Sequence, residues 1–314
     1  FIKEKVPAIY GFVYQCYEES SYLFFGDDTL DSSEGVQQGD PFLFSLAIMN
    51  VIKKMKSDLN IWYLDDGTLA GNTQTVLADY QEILKALESH GLAVNPTKCE
   101  LHLINPLSDE CKDALESFRR ITPGVKLVDK ANLTLLGSPI YPEGIEAVLE
   151  AKLENLELMA SRLSKIDRHS GLYLLRNCFA MPKLTYFLRS SPCFLKPTIL
   201  KRYDTIIKDA LVKILNIPLP EEAWSQATLP VAKGGLGLRP ATEVALAGYL
   251  SSVHASSGIV QSLLPENLRG QKCKHYESAL SEWKLSSRSD VLPQNPIFQS
   301  EWDKPLYEAR FDLL

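Results

Sequence analysis

Hydrophobic positions in the first half of the chain switch between helical and strand spacing. Apolar residues recur at helical intervals in several segments, and each such segment predicts an amphipathic helix. Short apolar runs on either side of an acidic turn predict β-hairpins instead. The predicted helices cover residues 5–18, a segment starting at Pro41, and residues 75–90 with Gly91 as the cap. The predicted hairpins lie around residues 26–28 and 65–67, and the predicted strands at 98–104 and 133–140.

Helical spacing dominates from Ile145 onward. Predicted helices cover residues 145–166, 172–181, 198–215 and 243–255. This change of pattern predicts an α+β fold that becomes mainly helical, with a boundary near residues 141–144. Residues 275–314 have weak periodicity and several Pro and Ser residues, so we expect this end of the chain to be loosely ordered.

Composition indicates a globular protein without a membrane span, but it does not identify a reaction or a ligand. The 314 residues are 45% hydrophobic and 23% charged, as in ordinary globular proteins. No apolar run approaches ~18 residues, so we expect no membrane partner. Six widely spread cysteines, none in a Cys-x-x-Cys pair, predict reduced thiols and an intracellular location, with nucleus and cytoplasm both open. The net charge of −6 argues weakly against a nucleic-acid partner, although local basic patches remain compatible with it.

Two adjacent carboxylates, Asp65 and Asp66, stand between two apolar runs. This pattern predicts a strand, a tight turn and a second strand, with both acids at the tip. Unpaired acids at a hairpin tip repel each other, and a divalent cation held between them would relieve that repulsion. The alternative is a solvated acidic turn, since Asp-Gly is a common hairpin signal.

A second motif, Gln-Gln-Gly-Asp-Pro, occupies residues 37–41. Gly39 lies just before a predicted helix, where a glycine lets the backbone approach a base pair or sugar closely. Gln38 offers a donor and an acceptor to a template or nucleotide. Asp40 is placed to cap the helix that starts at Pro41, and a plain loop-to-helix cap is the alternative for this motif.

In this order and spacing, the two motifs resemble motifs B and C of reverse transcriptases, most closely those of non-LTR (LINE-type) retrotransposons. The resemblance covers roughly residues 5–250. It implies RNA-directed DNA polymerisation with Mg²⁺, or Mn²⁺ as an alternative, on an RNA template and DNA primer with deoxynucleoside triphosphates. Asp65 is then the more direct metal ligand and Asp66 the less direct one, while Gln38, Gly39, Asp40 and Pro41 form the nucleotide and template site.

Two later segments extend the resemblance. Residues 91–99 resemble motif D, in which Lys98 would neutralise charge or donate a proton at the leaving pyrophosphate; a surface lysine at the start of a strand is the alternative. Residues 133–140 resemble the primer grip, and Gly137 fits a close backbone approach or a bulge. The glycine-rich segment 230–239 allows a phosphate-cradling loop but lacks the Walker order.

The sequence also departs from this family. The segment after Pro41 is shorter by about three residues, close to one helical turn. The family's first catalytic motif, which carries a further metal-binding Asp, would lie before Phe1, so we expect a chain truncated before it. We therefore expect a partial palm over residues 1–142, an antiparallel sheet with helices, and a helical thumb and C-terminal region over residues 143–314.

The sequence is also compatible with two other functions. One is a catalytically inactive retroelement remnant that binds nucleic acid or serves a structural role. The other is an unrelated metal-dependent hydrolase built on the two carboxylates. A second acidic box at Gly26, Asp27 and Asp28 resembles the Gly-Asp-Asp motif of viral RNA polymerases. Because it precedes the Gln-Gln-Gly-Asp-Pro motif, we interpret it as an ordinary turn.

Overall fold

A computed structural model describes residues 2–5, 7–32, 43–106 and 108–314. The chain divides into two compact units, Phe1–Leu127 and Val128–Leu314. The predicted change of pattern at residues 141–144 lies inside the second unit. The hydroxyl of Ser138 explains why the segment before that point belongs there, since it is within hydrogen-bond distance of the hydroxyls of Ser190 (2.7 Å) and Ser191 (2.8 Å).

The first unit combines short helices with paired strands. Its helices are α1 (Ile2–Lys5), α2 (Pro7–Tyr17), α3 (Leu43–Ile52), α4 (Thr73–Ser89) and α5 (Asp109–Ile121). Its strands are β1 (Ser21–Phe25), β2 (Asp28–Ser32), β3 (Leu59–Tyr63), β4 (Asp66–Ala70), β5 (Glu100–Leu101) and β6 (Lys126–Leu127). Strands β1–β2 and β3–β4 form antiparallel hairpins, whereas β5 and β6 pair in parallel. Both predicted hairpins are confirmed.

Helix α4 has a cap at each end. The Asn72 side chain accepts hydrogen bonds from the amides of Gln74 and Thr75, as an N-cap residue does. At the other end Gly91 has a φ of 70°, and the amide of Leu92 donates to the carbonyl of Leu87 at 2.9 Å. This arrangement is a Schellman motif, which glycine favours because it has no Cβ. The predicted helix and its glycine cap are therefore confirmed.

The second unit is mainly helical. Its helices are α6 (Pro142–Leu163), α7 (Arg168–Leu174), α8 (Met181–Ser190), α9 (Pro197–Leu215), α10 (Glu221–Thr228), α11 (Ala241–Leu263), α12 (Tyr276–Ser287) and α13 (Gln299–Phe311). A π-helical turn, Leu175–Phe179, joins α7 to α8, and a short hairpin of β7 (Thr134–Leu135) and β8 (Ser138–Pro139) precedes α6. Helix α11 packs on α8, α9, α12 and α13, and its first half is almost wholly buried.

The α+β class is confirmed, but two predicted strands take other forms. Residues 98–104 contain only the two-residue strand β5, and residues 133–140 turn back on themselves as the β7–β8 hairpin. Across the described ranges, the strands form four separate pairs. None of the helices in those ranges has the length and hydropathy needed to cross a bilayer.

The prediction of a loosely ordered C-terminal end is wrong. Trp283 of α12 and Trp302 of α13 are fully buried and meet edge to face, with ring centroids 5.0 Å apart. The indole nitrogen of Trp283 donates to the carbonyl of Trp302 at 2.9 Å, and that of Trp302 donates to Pro296 at 2.8 Å. Large aromatic side chains at a few positions hold this end in place, and their irregular spacing produces no helical periodicity.

Two half-buried carboxyls contact residues at the start of α11 or just before it. Asp204 on α9 accepts hydrogen bonds from the amides of Ala241 and Thr242, so it caps the start of α11. Asp303 on α13 forms an ion pair with Arg239. Burial raises the pKa of each carboxyl to about 6, although the hydrogen bonds to Asp204 and the Arg239 guanidinium beside Asp303 oppose the rise.

These pKa values predict a pH-dependent stability. Because the folded pKa of Asp303 is about 6 and the unfolded value about 3.9, the folded state binds more protons between these values. Its contribution to the free energy of unfolding is present at pH 4 and is lost as pH rises through 6, by roughly 1–3 kcal/mol. Asp303→Asn should reduce this dependence in denaturant titrations across that range, because it removes the contribution of Asp303, whereas Asp204, whose pKa is also about 6, keeps its own.

A matched variant separates this effect from other titrations. Burial lowers the pKa of His254, which gives an opposite trend that Asp303→Asn leaves in place. Asp209→Asn removes the same charge at an exposed position on α9, so a change of slope that appears in both variants would indicate a general effect of charge. An unchanged slope in Asp303→Asn would contradict the prediction.

Candidate active site

The acidic pair lies at the tip of the β3–β4 hairpin. Tyr63 pairs with Asp66, so Leu64 and Asp65 form a two-residue turn. Leu64 has a φ of 56°, in the left-handed region that is costly by roughly 1–2 kcal/mol for a residue with a Cβ. Such strain persists when the surrounding contacts hold the backbone in place, and it occurs often at functional sites.

Contacts around Trp62 hold the hairpin in this shape. Trp62 lies opposite Gly67, and a Cβ added to that glycine would lie 2.6 Å from the indole ring. The Trp62 indole nitrogen donates to the Asn60 side chain at 2.8 Å, and the Asn60 amide nitrogen donates to the carbonyl of Ile52 at the end of α3, also at 2.8 Å. The ring thus covers the glycine and connects the hairpin to a helix.

One face of the hairpin packs against a small hydrophobic cluster. Trp62 and Leu69 contact the cluster formed by Ile48, Ile83 and Leu87 of helices α3 and α4. Because side chains alternate along a strand, Asp66 lies on the face away from this cluster. Asp65, in the turn, is exposed as well.

A buried carboxylate anchors the segment that leads into β3. The Asp79 side chain on α4 accepts hydrogen bonds from the amides of Lys56 (2.8 Å) and Ser57 (2.7 Å) and from the Ser57 hydroxyl (2.6 Å). Burial acts to raise the pKa of Asp79, but these hydrogen bonds outweigh it and lower the pKa below its ordinary value. The charged form of Asp79 therefore fixes the start of the hairpin on α4.

The donors at the tip fit one part of a metal site. Neither the Asp65 nor the Asp66 carboxylate has a hydrogen bond or ion pair with the residues whose positions are given, so both carboxylates can accept a ligand. Mg²⁺ is often held by one or two protein carboxylates, with phosphates and water completing its shell. Within the described ranges, no three acidic, histidine or cysteine residues form a potential metal-binding group. Two carboxylates match the number of protein ligands that one Mg²⁺ commonly takes, and a pair of ions would need further ligands.

The other predicted site residues are distributed differently. Gln38, Gly39, Asp40 and Pro41 lie outside the described residues. Lys98 ends a 3₁₀ turn, Pro96–Lys98, that the Asn95 side chain caps by accepting the amide of Thr97 at 3.1 Å. The Lys98 side chain is exposed and belongs to the same unit as the hairpin.

Gly137 belongs to the second unit, in the turn between β7 and β8. Its φ is 76°, and the preceding Leu136 has a φ of 50°. A Cβ at Gly137 would meet no atom within 4 Å. Among the described residues, no backbone approaches Gly137 closely and no bulge forms there, and the left-handed turn accounts for the glycine; its contact with a primer stays a prediction.

The earlier acidic box forms a hairpin of the same register. Phe25 pairs with Asp28, with Gly26 and Asp27 in the turn, just as Tyr63 pairs with Asp66. Asp27 and Asp28 are exposed like the later pair. Local geometry thus gives no preference between the two boxes, and sequence order remains the reason for choosing Asp65 and Asp66.

The glycine-rich segment does not cradle phosphate. The amides of residues 234–238 all donate to backbone carbonyls within residues 227–231, for example Leu236 to Ala227 at 3.0 Å and Gly237 to Leu229 at 2.8 Å. Because these donors are already used, none is directed at an anion. The glycines instead allow the segment to pack closely against the end of α10.

Gly67→Ala tests the support of the candidate site. The added methyl would overlap the Trp62 ring, so we expect the ring to be displaced and the first unit to lose about 1–3 kcal/mol of stability. Thermal unfolding and tryptophan fluorescence measure both effects. Gly11→Ala is a suitable control because it fills open space in α2. Equal unfolding midpoints for Gly67→Ala and the unmodified chain would contradict the packing described.

Comparison with known proteins gives a distant relative. The retrotransposable element SLACS 132 kDa protein of Trypanosoma brucei gambiense is 25% identical over 227 residues, covering 69% of this chain. The matching part spans 18% of that protein's length. No protein-family model matches the sequence, and no solved structure matches it. The likeness supports a retrotransposon-related origin for this chain.

The anchoring residues were not identified from the sequence as parts of the site. Asp79 lies within an ordinary amphipathic helix, and its role depends on contact with a distant loop. The Trp62–Gly67 pair leaves a weak signal, since an aromatic residue and a glycine at equal distances from a predicted turn face each other across a hairpin.

Proposed function

We propose that this chain is the palm and thumb region of a retroelement reverse transcriptase. The observation that carries the proposal is the rigidly supported β3–β4 hairpin, which leaves Asp65 and Asp66 exposed and unpartnered among the described residues at its tip. The similarity to a retrotransposon protein supports it. The partners would be an RNA template, a DNA primer and deoxynucleoside triphosphates.

In this proposal the hairpin carboxylates hold Mg²⁺. The bound metal would stabilise charge on the transferring phosphate and orient the primer's 3′ oxygen. The chain's own contribution is to keep Asp65 and Asp66 fixed through the Trp62–Gly67 contact and the Asp79 anchor, so little reorganisation is needed during the reaction.

The remaining roles follow the resemblance. Gln38 and Gly39 would border the nucleotide and template, with Asp40 and Pro41 at the start of the following helix. Lys98 would place its ammonium beside the leaving pyrophosphate, where it can donate a proton. Gly137 would support the primer's 3′ end through the β7–β8 turn.

The second candidate is a catalytically inactive remnant that still binds nucleic acid. One observation favours it: the described residues supply no third ligand beside the acidic pair. The two-metal mechanism requires more carboxylate than the hairpin provides.

Primer extension separates the two candidates. The chain is mixed with an RNA template, a labelled DNA primer, deoxynucleotides and Mg²⁺ or Mn²⁺. The polymerase proposal expects extension that EDTA abolishes and that depends on the template. Binding to the template–primer duplex without any extension would overturn catalysis and support the remnant. Absence of both binding and extension would exclude both candidates.

A further inference from the structure

A cavity of about 170 Å³ lies in the second unit, beside the π-helical turn Leu175–Phe179. Arg176, Asn177 and Thr185 line one side and the end of the glycine-rich segment lines the other, with Arg239 at its last residue. No carboxylate among the described residues lines it. Two guanidinium groups in a cavity with room for several waters provide an environment for an anion.

Arg176 is available for binding. Its side chain is exposed and has no ion pair within the part of the chain that the structure describes. A Cβ at Gly237 would lie 3.1 Å from its Nε and 3.3 Å from Nη2, so the guanidinium rests against a backbone that has no side chain. Gly237 also has a φ of 73°. Two features therefore favour glycine at residue 237: its left-handed φ, and the Arg176 guanidinium that a Cβ would crowd.

Arg239 is oriented by an ion pair with a carboxylate outside the cavity. Its ion pair with Asp303 of α13 engages one end of the guanidinium, and the group still lines the cavity. Since an arginine presents five N–H donors in a planar fork, this pairing leaves donors for a second partner. A guanidinium oriented by a carboxylate outside the cavity is better ordered for binding than a free surface arginine.

Arg176 lies within the π-helical turn, where the backbone departs from α-helical geometry. The amide of Ala180 donates to the carbonyl of Leu175 at 2.8 Å, which closes the wide turn. The carbonyl of Ala180 accepts the hydroxyl of the buried Tyr203 at 2.9 Å, so the irregular backbone is stabilised by tertiary contacts. Turns of this kind are frequent at functional sites, and here one presents Arg176 and Asn177 to the cavity.

We infer that this cavity binds a backbone phosphate of a nucleic-acid strand. Arginine forks match the geometry of phosphate oxygens, and binding would be independent of sequence. Tyr173, largely exposed and one turn before Asn177, offers an aromatic face on which a neighbouring base could stack. This deepens the proposed function, because it adds a nucleic-acid contact remote in sequence from the acidic hairpin.

The test measures binding of a labelled single-stranded RNA by fluorescence anisotropy, in EDTA and without nucleotides. Arg176→Ala should weaken binding roughly tenfold at low salt and reduce the slope of log K against log salt by about 0.7. Arg162→Ala is the matched control, since it removes the same charge from an exposed arginine of α6 outside the cavity. Arg176→Lys, which keeps the charge but loses the fork, should lie between the two.

Each outcome decides the inference. Equal loss of affinity in Arg176→Ala and Arg162→Ala, or no loss in either, would overturn it. Inorganic phosphate provides a second comparison: if it shifts the Arg176 side-chain NMR signal while RNA does not, the ligand is a free anion and the nucleic-acid assignment is wrong. The binding assay contains EDTA and no nucleotides, so it does not depend on catalysis. A failure of primer extension would therefore not affect its result. Loss of the phosphate site with extension retained would leave the polymerase proposal standing.

Discussion

Asp65→Asn should reduce RNA-templated primer extension by about 10³-fold in Mg²⁺, because a lost carboxylate ligand removes several kcal/mol of transition-state stabilisation. The substitution keeps the shape of the side chain and removes its charge. The effect should appear in the rate at saturating nucleotide, measured in single-turnover reactions. Asp66→Asn should have a smaller effect, since the proposal gives Asp66 the less direct role.

The β1–β2 hairpin provides the matched control. Asp27 occupies the same turn position as Asp65, in a hairpin of the same register, and it is exposed as well. Asp27→Asn should leave extension nearly unchanged. Equal losses in Asp27→Asn and Asp65→Asn would indicate a general effect of charge. A loss confined to Asp27→Asn would assign catalysis to the earlier acidic box.

Local patterns in the sequence predicted local structure well. The two acidic hairpins follow from apolar runs on either side of short turns, and Gly91 ends α4 because glycine suits the left-handed cap. These features depend on neighbouring residues and on general backbone preferences. The same preferences explain why residues 133–140 turn at Gly137, although their alternation predicted a continuous strand.

Features that depend on tertiary contacts could not be predicted in the same way. The pairing of β5 with β6 joins segments that are separated by helix α5, and no local signal specifies the partner. The Trp283–Trp302 contact orders the C-terminal end through two residues on different helices. The candidate site shows the same division, since its acidic tip was predicted from sequence whereas its Asp79 anchor was not.

The glycine-rich segment shows how one sequence pattern can have different physical causes. Its glycines suggested a phosphate cradle, yet the backbone donors of residues 234–238 are used within the protein. The nearby cavity instead presents side-chain donors from Arg176 and Arg239. Gly237 contributes by leaving space for the Arg176 guanidinium, and Gly235 by close packing. Only the folded arrangement distinguishes these two roles.

Gly235→Ala should be among the most destabilising substitutions in the second unit. The added Cβ would lie 2.1 Å from the carbonyl oxygen of Leu229 and 2.7 Å from that of Gln226. Both are backbone atoms, so the end of α10 would have to move, and we expect a loss of about 3 kcal/mol or more. A loss of this size lowers the unfolding midpoint by roughly 6–12 °C in a unit of this length. Thermal unfolding followed by circular dichroism measures it.

Gly258→Ala makes the same chemical change where the structure has room for it. Gly258 lies within α11, and a Cβ there would meet no atom within 4 Å. Because glycine is unfavourable inside a helix, this variant should gain about 0.5–1 kcal/mol. Opposite signs for the two variants would show that backbone packing, rather than glycine's flexibility, explains Gly235. A Gly235→Ala midpoint equal to that of the unmodified chain would mean that the segment does not pack against Leu229.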